Sequence, residues 1–164
     1  MTADEITDQI LYFYLAGHQI NSVSFMGMGE PFANPNLFDA LKILTNPSLF
    51  GLSQRRITIS TIGMIPGIKR LTRDFPQVNL AFSLHSPFEK QRSELMPINQ
   101  TYPLHKVMDA LDAHVANTKR RLFLAYIMLG GINDSAEHAK ALAHLILSRG
   151  ALSYLYHVDL IPYN

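Results

Sequence analysis

Apolar residues recur along the 164-residue chain in two alternating rhythms, and each change of rhythm marks the edge of an element. Residues 3–17 carry Ile6, Ile10, Leu11, Tyr14 and Leu15 at helical spacing, with Thr2 placed as N-cap, Asp4 and Glu5 in the first turn, and Gly17 as the stop. Residues 21–26 (NSVSFM) form a short β-type run ending in Gly27-Met28-Gly29-Glu30-Pro31, and residues 36–45 return to a helical pattern closed by Asn46-Pro47. The order then repeats: a strand over 56–60 (RITIS), a helix over 65–74, a strand over 78–84 (VNLAFSL) and a helix over 104–117. Residues 122–129 are almost unbroken in apolarity. Residues 135–148 read as a helix capped by Ser135 with Gly150 at its end, and residues 155–161 close the chain as a fifth strand.

Strands separated by helices of this length belong to the α/β class. Runs taken as apolar on both faces argue for parallel pairing, with both faces of the sheet buried under crossover helices. Periodicity leaves open whether such a sheet closes, curves as a partial (β/α) barrel, or lies open and doubly wound. In every case the chemistry gathers where the βα loops leave the C-terminal ends of the strands. No linker, low-complexity tract or composition shift interrupts the chain, which reads as one domain over residues 1–164.

Composition changes this picture in one respect. With 48% hydrophobic and 16% charged residues the chain is an ordinary globular sequence, and a net charge of +1 identifies no partner. No apolar run approaches the roughly 18 residues of a membrane span, and the acidic start is no signal peptide, so a cytoplasmic location without membrane contact is expected. The cysteine count is zero. Within these residues that excludes disulfides, thiolate zinc sites, a cysteine nucleophile and a cysteine-ligated iron–sulfur cluster.

Candidate chemistry lies at the strand ends. The glycines of the loop at 27–31 allow positive φ or a close backbone approach, and Glu30 can accept hydrogen bonds from an ammonium or from hydroxyls. The second predicted strand ends in Ser60-Thr61 with Gly63 beyond, and the third in Ser83-Leu84-His85-Ser86-Pro87. The last strand runs into Ile161-Pro162-Tyr163-Asn164, whose amide suits a heterocycle or ribose. Each feature has a plainer explanation as a tight turn, a loop cap or a hydrogen-bonded histidine, but their convergence on one rim favours a site. Arg55-Arg56, Lys69-Arg70 and Lys119-Arg120-Arg121 are the basic clusters, which read first as solvated element ends. The methionines read as core or pocket filler. His105, His114, His138, His144 and His157 lack the helical spacings of a histidine metal site, and none is expected.

Several strand-end segments, in their order and spacing, resemble the radical S-adenosylmethionine (SAM) ribosomal RNA adenine methyltransferases of the RlmN and Cfr family. They are residues 24–31 (SFMGMGEP), 59–63 (ISTIG), 83–87 (SLHSP), 96–99 (MPIN) and 160–164 (LIPYN). The likeness extends through residues 126–129 (YIML), Asn133-Asp134-Ser135 and Glu137-His138; Ser86 and the opening residues 4–9 bring it closer to Cfr. The resemblance implies a partial (β/α) barrel of the radical SAM type and a SAM site in which Gly29 and Glu30 hold the methionine amino end. Ser60, Ser83, Leu84, His85 and Asn164 would match the remaining SAM contacts. It also implies adenine methylation in 23S rRNA, at C8 for Cfr and C2 for RlmN, a [4Fe–4S] cluster, a reducing partner such as flavodoxin and, for Cfr, antibiotic resistance. In that family a methyl group is first placed on one cysteine, a 5′-deoxyadenosyl radical activates it, and a second cysteine resolves the adduct.

The family's cluster and catalytic cysteines fall outside residues 1–164. The expectation is therefore an internal segment, without the cluster-binding strand and loop or the C-terminal part, that alone binds no cluster and methylates nothing. Its strand at 21–26 would have an exposed edge prone to aggregation. Two other readings compete. A conventional methyltransferase on a doubly wound sheet calls for an acidic residue after the second strand, where Ser60-Thr61 stands. A noncatalytic module binding a nucleotide-like ligand or a protein is compatible with the missing cysteines.

Overall fold

The computed structural model describes residues 1–163 of the chain. α1 (Ala3–Leu15) opens on a full capping box: Thr2 Oγ1 accepts from the Glu5 N–H at 3.2 Å while Glu5 Oε2 accepts from the Thr2 N–H at 2.8 Å. Five strands follow, β1 (Val23–Phe25), β2 (Ile57–Thr61), β3 (Asn79–Ser83), β4 (Leu122–Met128) and β5 (Tyr156–Pro162). They form one parallel sheet in the order β1-β2-β3-β4-β5. The crossovers carry α2 (Leu37–Thr45), α3 (Ile65–Asp74), α5 (Leu104–Thr118) and α6 (Ala136–Leu147).

Chain order and spatial order coincide, and this decides the architecture. Parallel crossovers are right-handed, so a sheet that always grows toward the same side has all its crossover helices on one face. Burial agrees. In β2, Ile57, Ile59 and Thr61 are buried while Thr58 and Ser60 stay partly open; in β4, Leu122, Leu124 and Tyr126 are buried while Phe123 and Ala125 stay partly open. Two helical layers over both faces, as the apolar runs predicted, are therefore not what forms. The sheet is one wall of a partial barrel. Its helix-side core is built by Leu41, Leu44, Ile68, Leu71, Leu80, Phe82, Val107 and Leu111, all at most 1% exposed. Each such side chain contributes about 1.5–3 kcal/mol by leaving water. The order contains no reversal, hence no topological switch point of the doubly wound kind.

Two elements differ from the sequence expectation. β1 has only three residues and lies at an edge, which shortens the unpaired row it presents. A further helix, α4 (Glu89–Leu95, EKQRSEL), follows β3; it has no apolar stripe to announce it, and the residue it buries is Arg92.

Candidate functional site

The glycine loop after β1 is shaped by backbone conformation. Gly27 and Gly29 stand at φ +115° and +90°, where a side chain would be strained. They bring Glu30 to the start of a 3-10 turn (Pro31–Ala33) that its carboxylate caps. Oε1 accepts from the Phe32 N–H at 3.2 Å and from Thr61 Oγ1 at 2.7 Å, and Oε2 accepts from the Ile62 N–H at 2.8 Å. Thr61 Oγ1 in turn accepts from the N–H groups of Gly63 (3.1 Å) and Met64 (3.4 Å). Glu30 thus ties the loop after β1 to the loop after β2. Phe32 fixes it from behind: its ring lies so close to Gly67 of α3 that a Cβ there would sit 2.2 Å from Phe32 Cγ.

Arg92 ties the second loop to the third. Its side chain is fully buried and, among the described residues, no carboxylate oxygen bonds to it; instead it donates to the carbonyls of Ile62 (2.9 Å), Ser83 (3.2 Å) and Leu84 (3.2 Å) and to Asn99 Oδ1. The guanidinium lies 4.8 Å from the Phe82 ring centroid. Burial pushes its pKa down to about 10, which still leaves it charged at neutral pH. Asn99, from the MPIN segment, is held by Ser93 Oγ and the Glu89 carboxylate.

The third and fourth loops are joined through His85 and Asn133. His85 sits at φ +55°, a left-handed conformation uncommon for a non-glycine residue, and the Ser86 N–H closes back onto Leu84 O at 2.7 Å. The His85 Nδ1 accepts from the Ile127 N–H at 3.1 Å, which leaves its Nε2 as the position for a proton. Burial, assisted by the Arg92 charge, lowers its pKa. Buried Asn133 donates to His85 O (2.7 Å) and Ile127 O (2.8 Å) and accepts from the Leu129 N–H (2.6 Å). Glu30, Arg92 and Asn133 therefore brace four consecutive strand ends through backbone groups.

Between these braces opens a cavity of about 520 Å³, lined by the loop after β1, the ends of β2 and β3, and Ile6, Gln9 and Ile10 of α1. Gly29, Glu30, Ser60 and Ser83 meet in it. The Ser60 and Ser83 hydroxyls are partly open and, among the described residues, have no protein partner, whereas Glu30 has three of its roughly four acceptor positions filled. Leu84 and His85 do not line the cavity; the Leu84 side chain is buried in the core, and both residues shape the adjoining turn. Asn164 lies outside the described residues. Arg92 was missed because an arginine among Glu, Lys and Gln reads as surface, and Asn133 because it was read within a likeness and given no role of its own.

The profile of the Radical SAM superfamily matches residues 1–146. The chain belongs to the radical SAM superfamily. Among curated relatives it is 75% identical to the ribosomal RNA large subunit methyltransferase Cfr of Lachnoclostridium phytofermentans, and 62% identical to the protein of that name from Bacillus velezensis. Each alignment covers 100% of this chain, and 48% and 47% of the relatives respectively, so the chain spans about half their length. The crystal structure of a radical SAM methyltransferase from Sphaerobacter thermophilus superposes with a TM-score of 0.90 at 38% identity, over 100% of this chain and 48% of that one.

The two groups that radical SAM chemistry implies fare differently here. A cavity of this size with free hydroxyls and a glycine loop suits a SAM-sized ligand. A cysteine-ligated cluster finds no ligand in a sequence without cysteine, and among the described residues no group of His, Asp or Glu is arranged to hold a metal ion. No helix of the described residues is long and apolar enough to cross a membrane.

Proposed function

We propose that residues 1–164 are one radical SAM core domain, the SAM-binding part of a Cfr-type methyltransferase that modifies adenine C8 in 23S rRNA. The observation that carries this reading is the braced cavity at the C-terminal strand ends, in a chain 59–75% identical over its whole length to proteins named Cfr. Bound SAM supplies a methyl group and, when reductively cleaved, a carbon radical. In this reading Gly29 lets the ligand approach the backbone, the remaining acceptor position of Glu30 takes an ammonium N–H, and Ser60 and Ser83 bond its polar groups. Leu84 and His85 contribute as the turn that closes the rim beside Ser83, and Asn164 as a further polar contact. The iron–sulfur cluster and reactive cysteines of the family belong to segments other than these residues. In the whole protein they work with a reductant such as flavodoxin in the cytoplasm, and the product confers antibiotic resistance.

Calorimetric titration of SAM into the 164-residue chain tests the site. Binding is expected, with Ser60→Val and Ser83→Val each weakening it by about tenfold, the scale of one lost hydrogen bond in a desolvated site. Unchanged affinity in both variants would move the ligand elsewhere. For the whole protein, the gene should continue in frame into C-x-x-x-C-x-x-C on one side and a further cysteine on the other; stop codons on both sides would favour a noncatalytic module instead.

A further inference from the structure

The opposite end of the sheet carries a second feature that SAM chemistry does not use. Arg55 and Arg56 lead directly into β2, and Lys119, Arg120 and Arg121 lead into β4. Five of the chain's fourteen Lys and Arg residues thus gather at the N-terminal strand ends, although the whole chain has a net charge of only +1. None of the five makes an ion pair among the described residues, while Lys42, Arg70, Arg73 and Arg149 all do.

Three of the five are nevertheless held in place by neutral groups. Arg56 donates to the Asn21 backbone carbonyl at 3.1 Å and lies 3.4 Å from its side-chain oxygen, Arg55 Nε donates to Gln77 Oε1 at 3.1 Å, and Arg120 donates to Asn79 Oδ1. Asn79 closes the chain by donating to Arg55 O at 2.8 Å. An amide oxygen orients a guanidinium through a hydrogen bond without cancelling its charge, as a carboxylate would. The result is a preorganised positive rim across strands spaced about 4.8 Å apart. Arg55 and Arg120 repel one another, and the Arg120 pKa falls, first through burial and then through that repulsion. Lys119, Arg121 and Arg55 are exposed, and Tyr154, in the 3-10 segment (Gly150–Leu155) that leads into β5, the neighbour of β4, is 75% exposed.

We propose that this rim docks the phosphate backbone of RNA, on the face of the sheet's end opposite the SAM cavity, with Tyr154 as a stacking surface. Uncompensated, prepositioned guanidinium groups with an exposed aromatic ring suit phosphates and bases. The choice of RNA over other polyanions rests on the proposed function, since the similar proteins are named as acting on ribosomal RNA.

Fluorescence anisotropy of a labelled RNA hairpin against the 164-residue chain tests it. The double variant Lys119→Gln/Arg121→Gln alters side chains that make no hydrogen bond among the described residues, and its fold is checked by circular dichroism. It should bind about tenfold more weakly at moderate salt, with a slope of log affinity against log salt shallower by about 1.5. Lys119→Arg/Arg121→Lys should restore both, and SAM binding should not change. Lys106→Gln/Lys140→Gln removes the same charge from the starts of α5 and α6, at the other end, and should have little effect. Equal RNA affinity and slope in the rim variant, greater loss in the control pair, or rim-dependent binding to phosphatidylserine vesicles in preference to RNA would each overturn the proposal. Since SAM titration is a separate measurement, loss of the rim and failure of the SAM site are told apart.

Discussion

The two ends of the same sheet solve opposite problems with the same kinds of side chain. At the C-terminal end, Glu30 and Arg92 are charged residues that spend their hydrogen bonds on backbone groups, bracing loops so that small hydroxyls stand free. At the N-terminal end, Asn21, Gln77 and Asn79 are neutral residues that brace arginines, so that the charges themselves stand free. As scaffolding, the buried Arg92 charge is met by carbonyl oxygens and the half-buried Glu30 charge by N–H and hydroxyl donors. Where a charge is kept for use it is held by groups that do not cancel it.

Breaking the first end should have the largest effect. Arg92→Met removes the donor to three carbonyls and to Asn99, leaving buried acceptors without partners, and should cost about 4 kcal/mol in urea unfolding together with SAM binding. A loss under about 1 kcal/mol would mean that the carbonyls find water and that Arg92 is no brace.

Acid should strike the second end. His114 of α5 is fully buried; its Nδ1 lies 2.9 Å from Thr72 Oγ1, which donates to Ile68 O, and its Nε2 has no partner among the described residues. Burial, then the neighbouring Arg120 charge, pushes its pKa down to about 4. Because the unfolded chain titrates near 6.5, it binds the proton first. The neutral-His114 fold is therefore fully favoured above about pH 6.5 and loses stability as pH falls toward 4, by about 3 kcal/mol in all. His114→Gln should flatten that part of the stability-against-pH curve, and a curve unchanged by it would assign the acid loss to other groups.

A smaller effect is expected at the hinge between loop and helix. Gly67→Ala places a Cβ against the Phe32 ring and should cost about 2 kcal/mol by overpacking. It should also displace Glu30 and weaken SAM binding more than it lowers Tm, a disproportion visible when thermal melts are set beside calorimetric titrations. A shift in Tm alone would leave Glu30 where it is.

Most elements could be read from the chain because their periodicities are clean, yet two misreadings share one cause. The strand at 56–60 reads as apolar on both faces, although Ile-Thr-Ile-Ser alternates in polarity with period two, the sign of a sheet covered on one side; in β3, by contrast, Leu80, Ala81 and Phe82 are all buried. Helix α4 escaped notice because the residue it buries is charged. In both places a polar side chain stands where pattern reading asks only about apolar ones. At the site, Ser60, Ser83, Gly29 and Glu30 were found as strand-end residues and do share a cavity. Their braces Arg92 and Asn133 act at long range in sequence, through backbone carbonyls that every residue possesses and no sequence pattern distinguishes.

The coincidence of chain order with sheet order also bears on how the molecule assembles. Each new strand docks on the one made just before it, so loop closure never spans more than one crossover and no strand must wait for a later one to insert between neighbours. Such a sheet can grow during synthesis, one βα unit at a time, with each completed strand serving as the template for the next.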